Sequence, residues 1–587
     1  MRLLFITTFL VLSGCDKPDS IGPGDGGPLA DAGPPLDAGD PCTEENMQSD
    51  PNNCGSCDNR CVVYGAEALC LTGDCAMGEC REGFFDLNED ANDGCEYECT
   101  VTDPLDPFDA EGRDENCDGF DGLLSQLIFV SPDGDDANDA TKDEPVASFA
   151  AAMLLVEPEG SRRTVVLAEG TYDLAGVDRV ATGISVHGGF RNDGRWTRDS
   201  QARAAFGETL GALRIGGGSG VVIEGLELST SSRSLENDGP GAAAVGLIIE
   251  DGDGLRVSNL IVRAGEGTDG SDGRPGLLGA SGLDGANGGG GCENSSFLCS
   301  SCDRPRGGAG GSSPCANPGG SGGQPGHENS TGQTGARGLG EAVEGHDEGF
   351  DGAGGAGGAG GGASHSGSPG VPGAQGPDGE LGAAGASAGS WDGSAYQAAP
   401  GGTGANGHDG GGAGGGGGGG GGNNACDTYG GGAGGGGGAG CFGTGGGAGS
   451  GGGASVALLV LSGSPVLNSC IFSTLGGGAG GGGAWGGTGG TGGDGGDGGG
   501  RIRDSGVGGP GGNGGDGGAG GAGGGGGGGP SIGVWLADGS AGQPGNSTFE
   551  LGPVGAGGMG GRPEGSEEPA ENSGSEGLSR SLYNGSP

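Results

Sequence analysis

Three short stretches share one pattern of apolar and polar positions: VVIEGLELS from Val221, LRVSNLIVR from Leu255 and PVLNSCIFS from Pro465. Each alternates apolar with polar residues, turns at Gly225, Asn259 or Ser469, and resumes with Leu226, Leu260 or Cys470. Alternation sends successive side chains of an extended strand to opposite faces. One face therefore gathers Ile223, Leu226 and Leu228, then Val257, Leu260 and Val262, then Leu467, Cys470 and Phe472. The strand-like runs Val245–Ile249, Val456–Leu461 and Ile532–Leu536 supply the preceding face of each coil. Short strands repeated between Gly and Asn turns predict a solenoid, whose coils bury the apolar stripe by stacking. The rival, an antiparallel sandwich, calls for tight hairpin signals, and these are sparse here.

The segment before the repeats carries a resemblance. Leu127–Val130 with the acidic turn Asp133–Asp136 precedes Pro145–Phe149, which runs into the helix-like AAAMLLVE; Thr164–Ala168 and EGTY (Glu169–Tyr172) follow. That opening resembles bacterial right-handed parallel β-helices of the pectin-lyase-like kind, and Ile184–Phe190 with Arg195–Asp199 is similar to the segment that follows in them. The resemblance implies an all-β chain. The family includes polysaccharide lyases and hydrolases, which use clustered Asp with Arg or Lys. Asp178, Arg179, Arg195, Arg198 and Asp199 form the local group that mixes such charges, and we read them as decorating turns. His187 lies on a strand and is expected to be exposed, whereas His327, His346, His365 and His408 sit in Gly-rich sequence. No HExxH helix or phosphate loop with Lys occurs, and motifs built on Gly spacing carry no weight in a chain of this composition.

Between the second and third repeats the apolar pattern stops, far beyond any ordinary loop length. Gly recurs at every third position from Gly267 to Gly291 and again from Gly349 to Gly385, interrupted at Ser364. After the third repeat the pattern tightens to two in three, as in GGTGGTGGDGGDGGG from Gly486. Period three excludes α-helix and pleated strand as the main state. Three states fit. Collagen wants long Pro-rich tracts, and only the stretch from Gly367 approaches that. A disordered linker follows from the ordering entropy of Gly. A bundle of extended threefold helices, polyglycine-II-like, would use backbone hydrogen bonds in place of an apolar core; Gly-rich ice-binding and phage-adhesin folds look like this. Cys292, Cys299, Cys302, Cys315, Cys426 and Cys441 are placed to cross-link such tracts.

The N-terminus MRLLFITTFLVLSGC has Arg2, an apolar stretch Leu3–Leu12 and small residues before Cys15. It reads as a short secretory signal. Leu12-Ser13-Gly14-Cys15 resembles the lipobox of bacterial lipoproteins, which makes Cys15 the lipidation site and the membrane a partner through two or three acyl chains. Asp16–Pro41 is a Pro, Gly and Asp tether. Cys42, Cys54, Cys57, Cys61, Cys70, Cys75, Cys80, Cys95, Cys99 and Cys117 then crowd one module. In an exported chain they imply disulfides rather than zinc. The run NCGSCDNRC with GECREGFFDLNEDANDGCEYEC looks like Cys-rich modules at the front of surface lipoproteins of gliding soil bacteria, which implies the outer membrane or cell surface rather than the inner membrane. Asp86, Asn88, Asp90 and Asp93 alternate as at the start of a calcium loop, although Ala91 and Tyr97 stand where an EF-hand needs Gly and Glu. Asp114, Asn116, Asp118 and Asp121 resemble the end of a metal-binding motif of bacterial surface proteins. Calcium is the cofactor these carboxylates suggest, with solvated turns as the rival reading.

The expected organisation is signal 1–14, tether 15–41, Cys-rich module 42–122, coils 123–265, Gly-rich insertion 266–453, coil 454–474, insertion 475–529, coil 530–551 and disordered tail 552–587. Composition narrows the function. With 164 Gly, 30 Pro and 31% hydrophobic residues, less than half of the 587-residue chain can build an apolar core. A formal charge of −52 repels nucleic-acid backbones, so no nucleic-acid partner is expected. The leading expectation is a non-enzymatic, lipid-anchored platform for binding or adhesion, with a surface polysaccharide as candidate ligand. A carbohydrate-active enzyme and a structural envelope component are the alternatives.

Overall fold

The computed structural model describes residues 42–585 apart from 110–111, 175, 210, 233–238, 295–301, 341–353, 356, 393–394, 424–425, 538 and 563–570. Cys15 and the tether lie outside the described residues. The chain divides into two compact units between Gly122 and Leu123.

The N-terminal unit substitutes cross-links for a core. Its hairpin pairs Ala66–Leu71 with Asp74–Cys80 across Thr72 and Gly73, both at positive φ, as a two-residue turn matched to strand twist demands. Disulfides join Cys42 to Cys57, Cys54 to Cys70, Cys61 to Cys75, Cys80 to Cys95 and Cys99 to Cys117.

The second unit is built on three parallel sheets of six strands each, an arrangement compatible with a parallel β-helix. The chain visits the sheets in rotation. Thr164–Ala168, Gly170–Tyr172 and Arg179–Val180 belong to the first, second and third sheets, and Ser185–Phe190 returns to the first. The three sequence repeats stack in the register their alignment gives: Ile223 faces Val257, which faces Leu467. Their nine inward residues are all buried. Gly225, Asn259 and Ser469 adopt φ of 68°, 51° and 53°, so each repeat bends at the same left-handed position. Glycine is free there, and Asn tolerates it better than other side chains.

Helix Phe149–Leu155 starts at Ser148, whose hydroxyl accepts the Ala151 N–H. It drives Phe149 against Phe206 in the interior. The third-sheet strands Ala244–Ile249, Ser455–Val460 and Ser531–Leu536 are buried on both faces. A hairpin of Ser390–Trp391 and Tyr396–Gln397 packs on their outer side beside Trp535. Two-sided burial explains why these runs are continuously apolar instead of alternating.

Every long excursion leaves the second sheet and returns to the third. Ala264, Thr474 and Glu550 end second-sheet strands, and Ser455, Ser531 and Ser579 begin third-sheet strands. Gly-rich tracts distant in sequence thus start side by side and inherit strand register. Ile261 faces Ile471 in the sheet, and the same 210-residue offset persists where Asp284 meets Asp494. Between them Gly270, Gly273, Gly276, Gly279 and Gly282 donate N–H bonds to the carbonyls of Ala479, Gly482, Trp485, Thr488 and Thr491. Other tracts run antiparallel, as where Gly487, Gly490 and Gly493 donate to Thr444, Cys441 and Gly438.

Glycine content follows the number of neighbours. In the outer tract a Cβ on Gly279 would lie 2.1 Å from the Cys441 carbonyl oxygen, while Leu278 points outward. In the tract 486–500, Gly489 and Gly490 each abut a different tract, and Thr488 is exposed. At the centre Gly434, Gly435 and Gly436 meet Gly496, Ala309 and Ala413 respectively, so none of these three successive positions has room for a side chain. Disulfides Cys292–Cys302 and Cys315–Cys441 lie within these tracts, and Cys426 is also disulfide-bonded. Cys299 lies outside the described residues. Cys470 is a buried free thiol on the inward stripe.

One expectation is corrected. Residues 552–587 carry no apolar pattern and are expected to form a disordered tail. Instead Gly555, Gly558 and Gly561 donate to Gly529, Gly526 and Gly523, and Ser579–Asn584 closes the third sheet beside Ser531–Leu536. Backbone hydrogen bonds, which leave no hydrophobic signature, order the described part of it.

Candidate functional site

The Gly-rich tracts leave only their outermost positions for side chains, and these positions line up. Tracts 267–291, 476–500, 506–529 and 365–387 are hydrogen bonded edge to edge in that order. They carry Leu278, Ser281, Asp284 and Asn287; then Trp485, Thr488, Thr491, Asp494 and Asp497; then Asn513 and Asp516; then Asp378. Three extended residues at roughly 3.1 Å each set a repeat of about 9.3 Å along every row. Trp485 is half exposed, level with Pro275, and Leu277 and Leu278 are exposed nearby.

The polar residues of these rows have a first task in the backbone. Gly477, Gly480 and Gly483 donate to Pro553, Ala556 and Met559 of an overlying tract. Beyond it, Gly492 and Gly495 instead donate to Asp516 Oδ1 at 2.8 Å and Asn513 Oδ1 at 3.0 Å. Asp284 and Asn287 accept the N–H groups of Asp494 and Asp497 in the same way, and Asp378 accepts that of Ala519. A side-chain oxygen replaces the missing carbonyl of a neighbouring tract, so few N–H groups at the rim go unpaired. The outcome is an acidic, regularly spaced face with one apolar end.

Among the predicted ion ligands, the structure gathers some and separates others. Asn88 accepts the Asp90 N–H and donates to Asp93, while Asp90 accepts from Asn92: these residues knit an exposed turn, and Asp86, Asp90 and Asp93 do not converge as a set. Asp114 and Asp118 do converge, and Asp106 joins them with ligand oxygens within 4.8 Å. Sequence reasoning missed Asp106, which is buried, sits at φ 44° and accepts the Glu115 and Gly122 N–H groups. No spacing signal marks it. Asn116 braces Asp118 at 2.9 Å, whereas Asp121 turns away to accept the Asp109 N–H. Burial pushes the Asp118 carboxyl up, and burial together with the bond to Asp114 pushes the Tyr97 hydroxyl up to about 12.

His187 requires a correction: it is buried. The segment after Phe190 folds back across the outer side of the first sheet, with Phe190 bridging Arg198 and Trp196 packing on Phe129. His187 Nδ1 lies 2.8 Å from Glu224 Oε1, Arg198 contacts the same oxygen, and Ser258 donates to Oε2. These are successive rungs of the sheet. Burial works to raise the Glu224 carboxyl, but the hydrogen bond and charge of His187 and the charge of Arg198 hold it down to about 2. The other charged candidates part ways. Arg179 pairs with Glu250 on the third sheet, and Asp199 pairs with Arg191. The Asp178 carbonyl accepts from Arg214, and Arg195 donates its N–H to Asp193.

Among the described residues no helix is long and apolar enough to cross a membrane. Comparison of the chain with protein-family models, curated proteins and solved structures finds no match.

Proposed function

We propose that this chain is a lipid-anchored bacterial envelope protein, held by Cys15, that displays a right-handed parallel β-helix with polyglycine-II-like insertions as a rigid binding or adhesive platform. The observation that carries the reading is the outer face: side chains at every third residue of tracts whose backbone is hydrogen bonded on several sides. Such preorganisation lowers the ordering cost of recognition. The ligand class it suits is a surface polysaccharide. A sugar ring stacks on Trp485, and its hydroxyls bond to Thr488, Thr491, Asp494 and Asp497. The acidic rows favour an uncharged glycan over an anionic one. Calcium is the ion proposed for Asp106, Asp114 and Asp118, all hard oxygen donors.

The test is retention of the full chain, in detergent, on immobilised neutral and anionic polysaccharides, with and without calcium. Retention on a neutral glycan is expected, Trp485→Ala weakening it about tenfold and Asp114→Asn removing any calcium effect. No retention on any glycan, or equal retention by Trp485→Ala, sinks the glycan-binding platform. A structural envelope component is the second reading, favoured by the outer edges of Thr548–Glu550 and Ser579–Asn584, terminal strands of their sheets. Open edges are templates for another chain.

A further inference from the structure

A His residue that the sequence left inside a Gly-rich tract stands at a second convergence of ligand atoms, far from the glycan rows in chemistry. His327 Nε2 lies 3.0 Å from Asp427 Oδ1 and 3.8 Å from Glu328 Oε1, and the three ligand atoms fall within 4.8 Å of one another. The residues come from two segments clamped together. His327 bridges Tyr429 antiparallel, its ring 4.5 Å from the Tyr429 ring and tilted 38° to it, and Glu328 donates its N–H to the Thr428 carbonyl. On the other side, Thr428–Tyr429 pairs with Cys292–Glu293, which the Cys292–Cys302 disulfide anchors, and Cys426 is disulfide-bonded as well. Ser330 fixes the turn, its hydroxyl accepting the His327 N–H and donating to the His327 carbonyl.

Glu328 adopts φ 49°, a conformation that disfavours a long side chain, yet it is Glu and not Gly that occupies it. The strained position carries the carboxylate back to the imidazole. The cluster is partly open, with His327 40% and Asp427 29% exposed at the side chain, so water can complete a coordination shell.

We propose that His327, Glu328 and Asp427 form a binding site for one divalent transition-metal ion of the zinc class. One imidazole nitrogen and two carboxylate oxygens, with a fourth position open to water, is a donor set zinc accepts. The imidazole distinguishes this site from the all-oxygen Asp106 cluster, because nitrogen donors favour zinc, copper or nickel over calcium. Rigid support of the ligands by paired strands and disulfides is what holds such a set in place. The bound ion ties the segment of His327 and Glu328 to that of Asp427.

The test uses the full chain in detergent, stripped with chelator and titrated with cobalt as a spectroscopic stand-in for zinc. One equivalent is expected to bind with visible absorption, and zinc displaces it whereas excess calcium does not. Loss of even an outer partner of a metal ligand weakens binding about 10–100-fold, so His327→Ala and Asp427→Asn should each cost about 100-fold or more. Asp114→Asn should leave cobalt binding unchanged. Amide exchange in the tracts of each variant separates loss of a ligand from loss of fold. Absent stoichiometric absorption, unchanged affinity in a folded His327→Ala chain, or displacement by calcium would each overturn the proposal.

Discussion

A glycine in this protein is defined by what a methyl group would strike. At Gly435 a Cβ would sit 2.0 Å from the Ala309 carbonyl oxygen, against backbone that has nowhere to move, whereas at Gly500 it would meet nothing within 4 Å. Gly435→Ala is expected to destabilise the tract by about 1–3 kcal/mol or more through overpacking, and Gly500→Ala to be close to neutral, as chemical denaturation will report. Charge at the residue scale has its own signature. Glu224 is held at about 2 against an ordinary value of 4.5, so its contribution is complete above about pH 4.5 and is lost as pH falls toward 2. Melting temperature should therefore fall across that window. Glu224→Gln should flatten the fall and cost about 2 kcal/mol near neutral pH, because it removes the charged acceptor that His187 and Arg198 contact. Had His187 been exposed, neither effect would be expected.

At the scale of an element, the tracts obey a rule of three. Each hydrogen bond between 267–291 and 476–500 recurs every third residue in a register set by the strands before them. Removing one residue from the middle of 276–288 moves every later Gly off its contact and drives Ser, Leu or Asp side chains into neighbouring backbone. Removing three restores the phase. Hydrogen exchange should show protection lost from the cut onward in the first variant and retained in the second. Equal behaviour would mean that period three has no packing role. Strands obey a period of two, and the repeats at Val221, Leu255 and Pro465 were legible for that reason: alternation named the inward residues, and all nine are buried.

For the whole molecule, the decisive feature is that every long excursion opens at the corner between the second and third sheets. Tracts separated by hundreds of residues become neighbours without an apolar core of their own. Their closure is assisted by Cys315–Cys441, at a sequence separation of 126. A cross-link over such a span contributes about 4–5 kcal/mol in the chain-entropy account. Cys315→Ser with Cys441→Ser should accelerate amide exchange across the Gly-rich tracts while leaving the strands of Leu127–Ala264 protected. Loss of protection in both together would show one cooperative unit instead.

The sequence by itself determined the local periods, two in the strands and three in the Gly-rich tracts, and the places of the turns at Gly225, Asn259 and Ser469, whose left-handed backbone the structure then showed. It also marked the crowded Cys of the N-terminal unit, which the structure joins as disulfides, and two of the three carboxylates that converge there. These are properties of neighbours along the chain. Only the tertiary structure decided which tracts bond, that His187 is covered, that Asp106 completes the acidic group, and that 571–585 is ordered. Each depends on partners far away in sequence, and backbone hydrogen bonding between glycines is blind to side-chain identity. A Gly-rich tract announces its spacing, but the strands at its ends choose its neighbours.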